Sequence, residues 1–129
     1  MEIKFEGCEA KGKLSASIVG GAEIEVLKIS TEGMFFETTN KLNMNSYYRF
    51  QLTREDKKGI LPAKTLSVLM KGTVRKNRRT MTLYQVAAEF KDLKDNEKTF
   101  IESVVDDILE SAMPVIEDQV KGAKMRVKK

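Results

Sequence analysis

From Leu14 to Phe90 the apolar residues of this chain recur at every second position in short runs, and at about Asp92 that period stops. Alternation at period two is the signature of strands with one buried face, because successive side chains of a strand point to opposite sides. Leu14, Ala16 and Ile18 alternate with Ser15 and Ser17, and Gly20-Gly21 then marks a tight hairpin. Ala22–Ile29 returns with Ile24 and Val26 on one parity and Leu27 and Ile29 on the other, which predicts a bulge or burial on both faces. Met34–Thr38 and Tyr47–Leu52 follow, the second carrying Tyr48, Phe50 and Leu52 on one face. Arg54–Gly59 reads as a charged turn, after which Leu66, Val68 and Met70 alternate along a further strand and Val74 restores the parity after Gly72. Arg75–Arg79 separates that strand from Thr80–Phe90, where Tyr84, Val86, Ala88 and Phe90 share a side. Ile3 and Phe5 add a short strand at the N-terminus. Beyond Asp92, Phe100, Ile101, Val104, Val105, Ile108 and Leu109 recur at three-and-four spacing, one stripe of an α-helix limited by Pro114. The pattern predicts a mainly β fold: six or seven antiparallel strands forming a small barrel or sandwich, followed by a C-terminal helix whose stripe could cover an open end.

The 129 residues suit one domain, expected over 1–113, with 114–129 as a basic C-terminal tail. The net charge of +4 is uneven, since Pro114 to Lys129 alone contributes +3. The folded part is therefore close to neutral, and overall basicity is a weak argument for nucleic acid. No apolar run approaches the length of a membrane-spanning helix, and the single cysteine, Cys8, fits a reducing compartment; the cytoplasm is the expected location. Zero histidines remove the commonest general base and metal ligand, and one cysteine cannot build a zinc site. The expectation is a non-enzyme without metal or cofactor. Asp106-Asp107 and Glu55-Asp56 read as solvated carboxylates.

Lys28–Thr38 breaks an apolar strand with Ser30-Thr31-Glu32-Gly33 and restarts it at once with Met34-Phe35-Phe36. Ser30 can hydrogen-bond its own backbone two residues on, and Gly33 tolerates the positive φ of a tight reversal. A hydroxyl and free backbone N–H groups would then stand at the lip of the sheet, where a polar ligand can be held. The bland reading is an ordinary strand–turn–strand.

Lys28-Ile29-Ser30-Thr31-Glu32-Gly33 resembles the [D/N]-x-S-x-x-G motif of the PilZ family, and Tyr84-Gln85-Val86-Ala87-Ala88-Glu89-Phe90 is similar to that family's Y-x-[V/L]-[G/A]-x-x-F closing strand. The resemblance runs from about Lys13 to Ala112. It implies a small β-barrel with a C-terminal helix that serves bacterial signalling as a receptor for cyclic di-GMP. The departures concern the nucleotide. The family's R-x-x-x-R motif has no counterpart, because no arginine precedes Arg49; the equivalent stretch, Gly7–Lys13, offers only Lys11 and Lys13. Lysine attracts phosphate but lacks the planar fork that reads guanine. Lys28 stands where the family has Asp or Asn and brings no acceptor for guanine N–H groups. The resemblance thus implies a degenerate site of Lys11, Lys13, Lys28, Ser30 and Gly33, with cyclic di-GMP as its weakened or lost ligand.

Three classes follow. The chain is a ligand receptor, or an adaptor that uses the barrel to contact a downstream protein, or a small nucleic-acid-binding barrel. Arg75, Arg78 and Arg79 form the densest positive charge before the tail and an anion-binding candidate, although the plainer reading of Arg75–Arg79 is a solvated hairpin loop. Few exposed-looking aromatics accompany those charges, which counts against nucleic acid. The helix stripe is expected to be core; if the barrel end is otherwise filled, it would form a homodimer or dock a partner.

Overall fold

The computed structural model describes residues 7–112. The expected strand at Ile3–Phe5, the stop at Pro114 and the basic tail lie outside the described residues. Seven strands precede one helix: β1 Cys8–Glu9, β2 Ser15–Ile18, β3 Glu23–Ile29, β4 Gly33–Thr38, β5 Tyr47–Arg54, β6 Lys57–Lys76, β7 Arg79–Phe90 and α1 Asp95–Ala112. All pairings described are antiparallel. The ladder β3-β2-β5-β6-β7-β4 returns to β3 through the β3–β4 pairing, so six strands close a ring and β1 adds to the free part of β3. Closure removes the unpaired edges that an open six-stranded sheet would expose.

The parity switch in β3 is a bulge. Val26 pairs with Phe36 and Lys28 with Phe35, which leaves Leu27 as the extra residue. Ile24 and Val26 before the bulge and Ile29 after it are all buried. Gly20 takes a φ of 79° in the β2–β3 reversal, and the Gly21 N–H donates to the Ile18 carbonyl at 2.8 Å.

Two expectations about β6 need correction. The charged turn is only Glu55-Asp56, because Lys57–Gly59 already pairs with Leu52–Arg54. A two-residue reversal suffices here, with Glu55 taking the left-handed φ of 54° that such a tight loop needs. The second correction concerns the alternation of Leu66, Val68, Met70 and Val74, which does not mark a buried face: of the four, Val68 alone packs against the core, and only partly buried. The buried side of β6 is Leu61, Ala63 and Thr65, while Leu66 is 46% and Met70 73% exposed. Register shifts at Leu66 and at Lys71 interrupt the alternation, and β5 ends its pairing with β6 at Lys64. Among the described residues β7 is the one strand neighbour of β6 from Thr65 onward, which leaves Leu66 and Met70 largely in solvent.

The core is Val26, Ile29, Met34, Phe36, Phe50, Leu52, Leu61 and Val86 from the barrel, with Phe36 and Phe50 meeting edge to face at 5.3 Å. Ile101, Val104, Val105 and Ile108 of α1 join it. The helix stripe therefore plugs the barrel, and Leu109 alone of the predicted stripe is largely exposed, at 44%. Each such side chain, once buried, contributes about 1.5–3 kcal/mol. Glu97 accepts from the Lys94 N–H at 2.8 Å, satisfying a donor at the helix start, where Asp95 and Glu97 also complement the dipole. The ring of Phe100 lies over Gly59, so a Cβ there would come within 2.8 Å of it.

Asp107 corrects the expectation of a solvated carboxylate. Its Oδ2 accepts from Arg54 Nε at 3.1 Å and lies 3.4 Å from Lys57 Nζ, which fastens α1 across the β5–β6 turn. Arg54 also donates to the Lys13 carbonyl, so one guanidinium holds three separate segments.

Candidate functional site

Ser30 begins a closed turn. Its N–H donates to the Gly33 carbonyl at 2.9 Å, and its Oγ accepts from the N–H groups of Glu32 at 3.1 Å and Gly33 at 3.2 Å. Two of the backbone donors expected to be free at the lip, those of Glu32 and Gly33, are thus consumed by the serine itself. What the Ser30 side chain still offers a ligand is its hydroxyl proton. Gly33 is also required for a different reason from the one expected: its φ is not positive, but an added Cβ would collide with the Ala88 carbonyl oxygen. Gly33 pairs with Glu89, and the Phe90 N–H donates to Glu32 O at 2.8 Å, so the turn is clamped onto the end of β7.

β1 brings the N-terminal segment beside this turn. Cys8 pairs with Ile29 and Glu9 with Lys28, and the Ala10 N–H donates to Leu27 O at 2.9 Å. Lys28 lies 3.7 Å from the Glu9 carboxylate, both side chains being well exposed. Lysine 28 is thereby aimed at a protein carboxylate of the neighbouring strand. The Cys8 thiol donates to Ile29 O at 3.3 Å, and burial pushes its pKa up, the opposite of a reactive thiolate.

The three lysines do not share one point. Lys11 is exposed, and its charge is felt by Glu37 on β4. Partial burial would raise the Glu37 carboxyl, but hydrogen bonds from Lys71 at 2.6 Å and Gln85 at 3.0 Å, with attraction from Lys71 and Lys11, hold it below its usual range. Lys13 follows a Gly12 with φ of 76° and has its carbonyl fixed by Arg54. Lys28, Ser30 and Gly33 are brought together with β1; Lys11 and Lys13 flank them along the segment that leads into β2.

A cleft of about 440 Å3 separates the turn from α1. Glu32, Glu89, Asp92 and Glu102 line it together with a single cation, Lys98. Its carboxylates repel an anion, so a phosphate would be met on the β1 side of the turn instead. The period pattern gave no sign of this wall, because it combines a turn, a strand end and a helix that are distant in sequence.

Arg75, Arg78 and Arg79 stand elsewhere. They belong to the far end of the β6–β7 hairpin, while the Ser30 turn abuts the Glu89 end of β7. Ten strand residues separate Arg79 from Glu89, roughly 34 Å at ~3.4 Å per residue. Among the described residues, no cluster of metal-ligating side chains occurs and no helix is long and apolar enough to cross a membrane.

A closed six-stranded barrel with a serine–glycine turn at one rim and a helix plugging it defines a PilZ-like domain, and solved structures bear out that fold. The PilZ domain of YcgR from Escherichia coli, determined with c-di-GMP, is similar over 77% of this chain and 82% of its own, with a TM-score of 0.56 and 11% identity. MrkH, described as a c-di-GMP-dependent transcription regulatory factor, matches 77% of this chain with a TM-score of 0.57 and 17% identity. MrkH of K. pneumonia in its apo state matches 85% at 14% identity, with a TM-score of 0.57. The chain spans about half the length of MrkH. At these identities the likeness is one of fold. No protein-family model and no curated relative matches the chain.

Proposed function

We propose that this chain is a non-enzymatic regulatory module on a cyclic di-GMP receptor fold whose nucleotide site is degenerate, and which acts mainly by contacting a downstream protein. A bacterial, cytoplasmic setting belongs to the same reading. The carrying observation is the Lys28–Glu9 pair. Where the resembling motif has an acceptor for guanine, this chain has an ammonium turned to the carboxylate of β1. No arginine fork stands in Gly7–Lys13, and Ser30 has already spent its acceptor on the turn. Serine hydroxyl, Lys28, Lys11 and Lys13 can still attract a phosphate, which leaves weak binding as the upper bound.

The test is a calorimetric titration with cyclic di-GMP, with GMP and single-stranded DNA as controls, on wild type and on Glu9→Arg, Lys13→Arg, Lys28→Asp together. The ladder places residues 9 and 28 opposite each other, so this variant keeps an ion pair with its polarity reversed. Wild type is expected to bind weakly or not at all. The variant restores two guanidinium forks and an acceptor, each contact worth ~1–3 kcal/mol, and should gain at least a hundredfold in affinity. Ser30→Ala in the variant background should remove that gain. Tight, selective binding by wild type would overturn the degenerate-site reading; failure of the variant to bind would remove the receptor ancestry from it and leave the adaptor alone.

A further inference from the structure

The far end of the β6–β7 hairpin is a two-stranded arm. β4 pairs with β7 no further than Tyr84, and β5 with β6 no further than Lys64, so among the described residues the ladder from Gly72–Leu83 to Lys76–Arg79 has no third strand. Asn77 and Arg78 close it with φ of 49° and 66°, two left-handed residues whose turn follows the natural strand twist and stiffens the tip. From Lys71 to Leu83 the sequence carries five basic residues and no acid. Lys71 is neutralised by Glu37, whereas Arg75, Lys76, Arg78 and Arg79 are exposed and make no ion pair among the described residues.

We propose that this arm docks in the major groove of B-form double-stranded DNA, independently of the ligand turn. Four unpaired cations on one short, rigid projection suit a polyanion with closely spaced phosphates. A two-stranded ribbon fits a groove about 12 Å wide, whereas the deep, narrow major groove of A-form RNA excludes it. Single strands are held by stacking bases on exposed aromatics, and residues 71–83 contain none. An anionic membrane would be gripped by large apolar side chains at the tip, yet Arg75–Thr80 has none; Met70, the large apolar side chain with the highest fractional exposure among the described residues, stands behind the arm. Arg75 and Lys76 also border a cleft whose other wall bears Glu23 and Glu25, which turns phosphate away from that side and toward the tip. Contacts of this kind are to the backbone of DNA and set affinity more than sequence choice.

The experiment is fluorescence anisotropy of a short labelled duplex with the full chain, at several salt concentrations. Four phosphate contacts predict a slope of log affinity against log salt near −3.6, a loss of roughly a hundredfold between about 50 and 200 mM. Arg75→Gln, Lys76→Gln, Arg78→Gln and Arg79→Gln combined should weaken binding at least tenfold and flatten the slope by about 3.6, with an unchanged melting temperature. If that variant is poorly folded, Arg78→Gln with Arg79→Gln alone should remove about half the slope. Competition with unlabelled single-stranded DNA and with phosphatidylcholine–phosphatidylglycerol vesicles should leave the duplex bound. Absence of binding, binding that survives the arm substitutions, or displacement by either competitor at equal phosphate would each overturn the proposal.

Discussion

Gly33 stands where β4 passes against the backbone of β7, opposite Glu89 and beside the Ala88 carbonyl. The S-x-x-G spacing is visible in sequence and does form a closed turn, but no property of a single segment announces that β7 runs directly behind it. The contact with Ala88 joins residues far apart in the chain, and only the closed ring reveals it. Because the obstacle is a backbone carbonyl, no side-chain rotation relieves it. Gly33→Ala is therefore expected to cost about 1–3 kcal/mol of overpacking and to lower the melting temperature by several degrees. Arg54 reads in sequence only as the start of a charged turn for the same reason: its partners Asp107 and Lys13 lie well away along the chain. A melt of Gly33→Ala within a degree of wild type would show that β4 moves freely off β7.

At the scale of elements, the helix and most strands were legible because burial on one face imposes a period, and the β3 bulge was legible because it breaks one. The exposed half of β6 was not. Alternation marks a strand but is silent on whether a second layer covers it, and the shifts at Leu66 and Lys71 leave Met70 in solvent. The helix stripe carries a direct prediction. Val104 and Ile108 are fully buried, so Val104→Asp or Ile108→Asp would strand a charge in the core and destabilise by several kcal/mol, seen as a collapsed melting temperature or loss of soluble protein. The Asp107 tie carries a second, in pH. Hydrogen bonds from Arg54 and then Lys57 depress this carboxyl in the folded state. A depressed acid stabilises above its unfolded pKa, about 3.9, and that contribution fades as pH falls through the lower folded value. The gap in melting temperature between wild type and Asp107→Asn should thus be full at neutral pH and close below about pH 4. A gap that is constant with pH would mean that packing, not charge, sets it.

Over the whole molecule, the ring has an order of assembly written into its connections. The β2–β3, β3–β4, β5–β6 and β6–β7 pairings are each between consecutive strands, whereas β2–β5 and β4–β7 join strands separated by others. Consecutive pairings close short loops at small entropic cost, and the distant ones wait on them. The β4–β7 seam, where Gly33 meets Glu89, is then a late event on the folding path. Interactions that form after the transition state affect unfolding rather than folding. In stopped-flow experiments Gly33→Ala should accelerate unfolding while leaving the refolding rate nearly unchanged. The turn that the nucleotide-binding motif resembles is then also the clasp of the barrel, and its residues govern how long a folded molecule lasts.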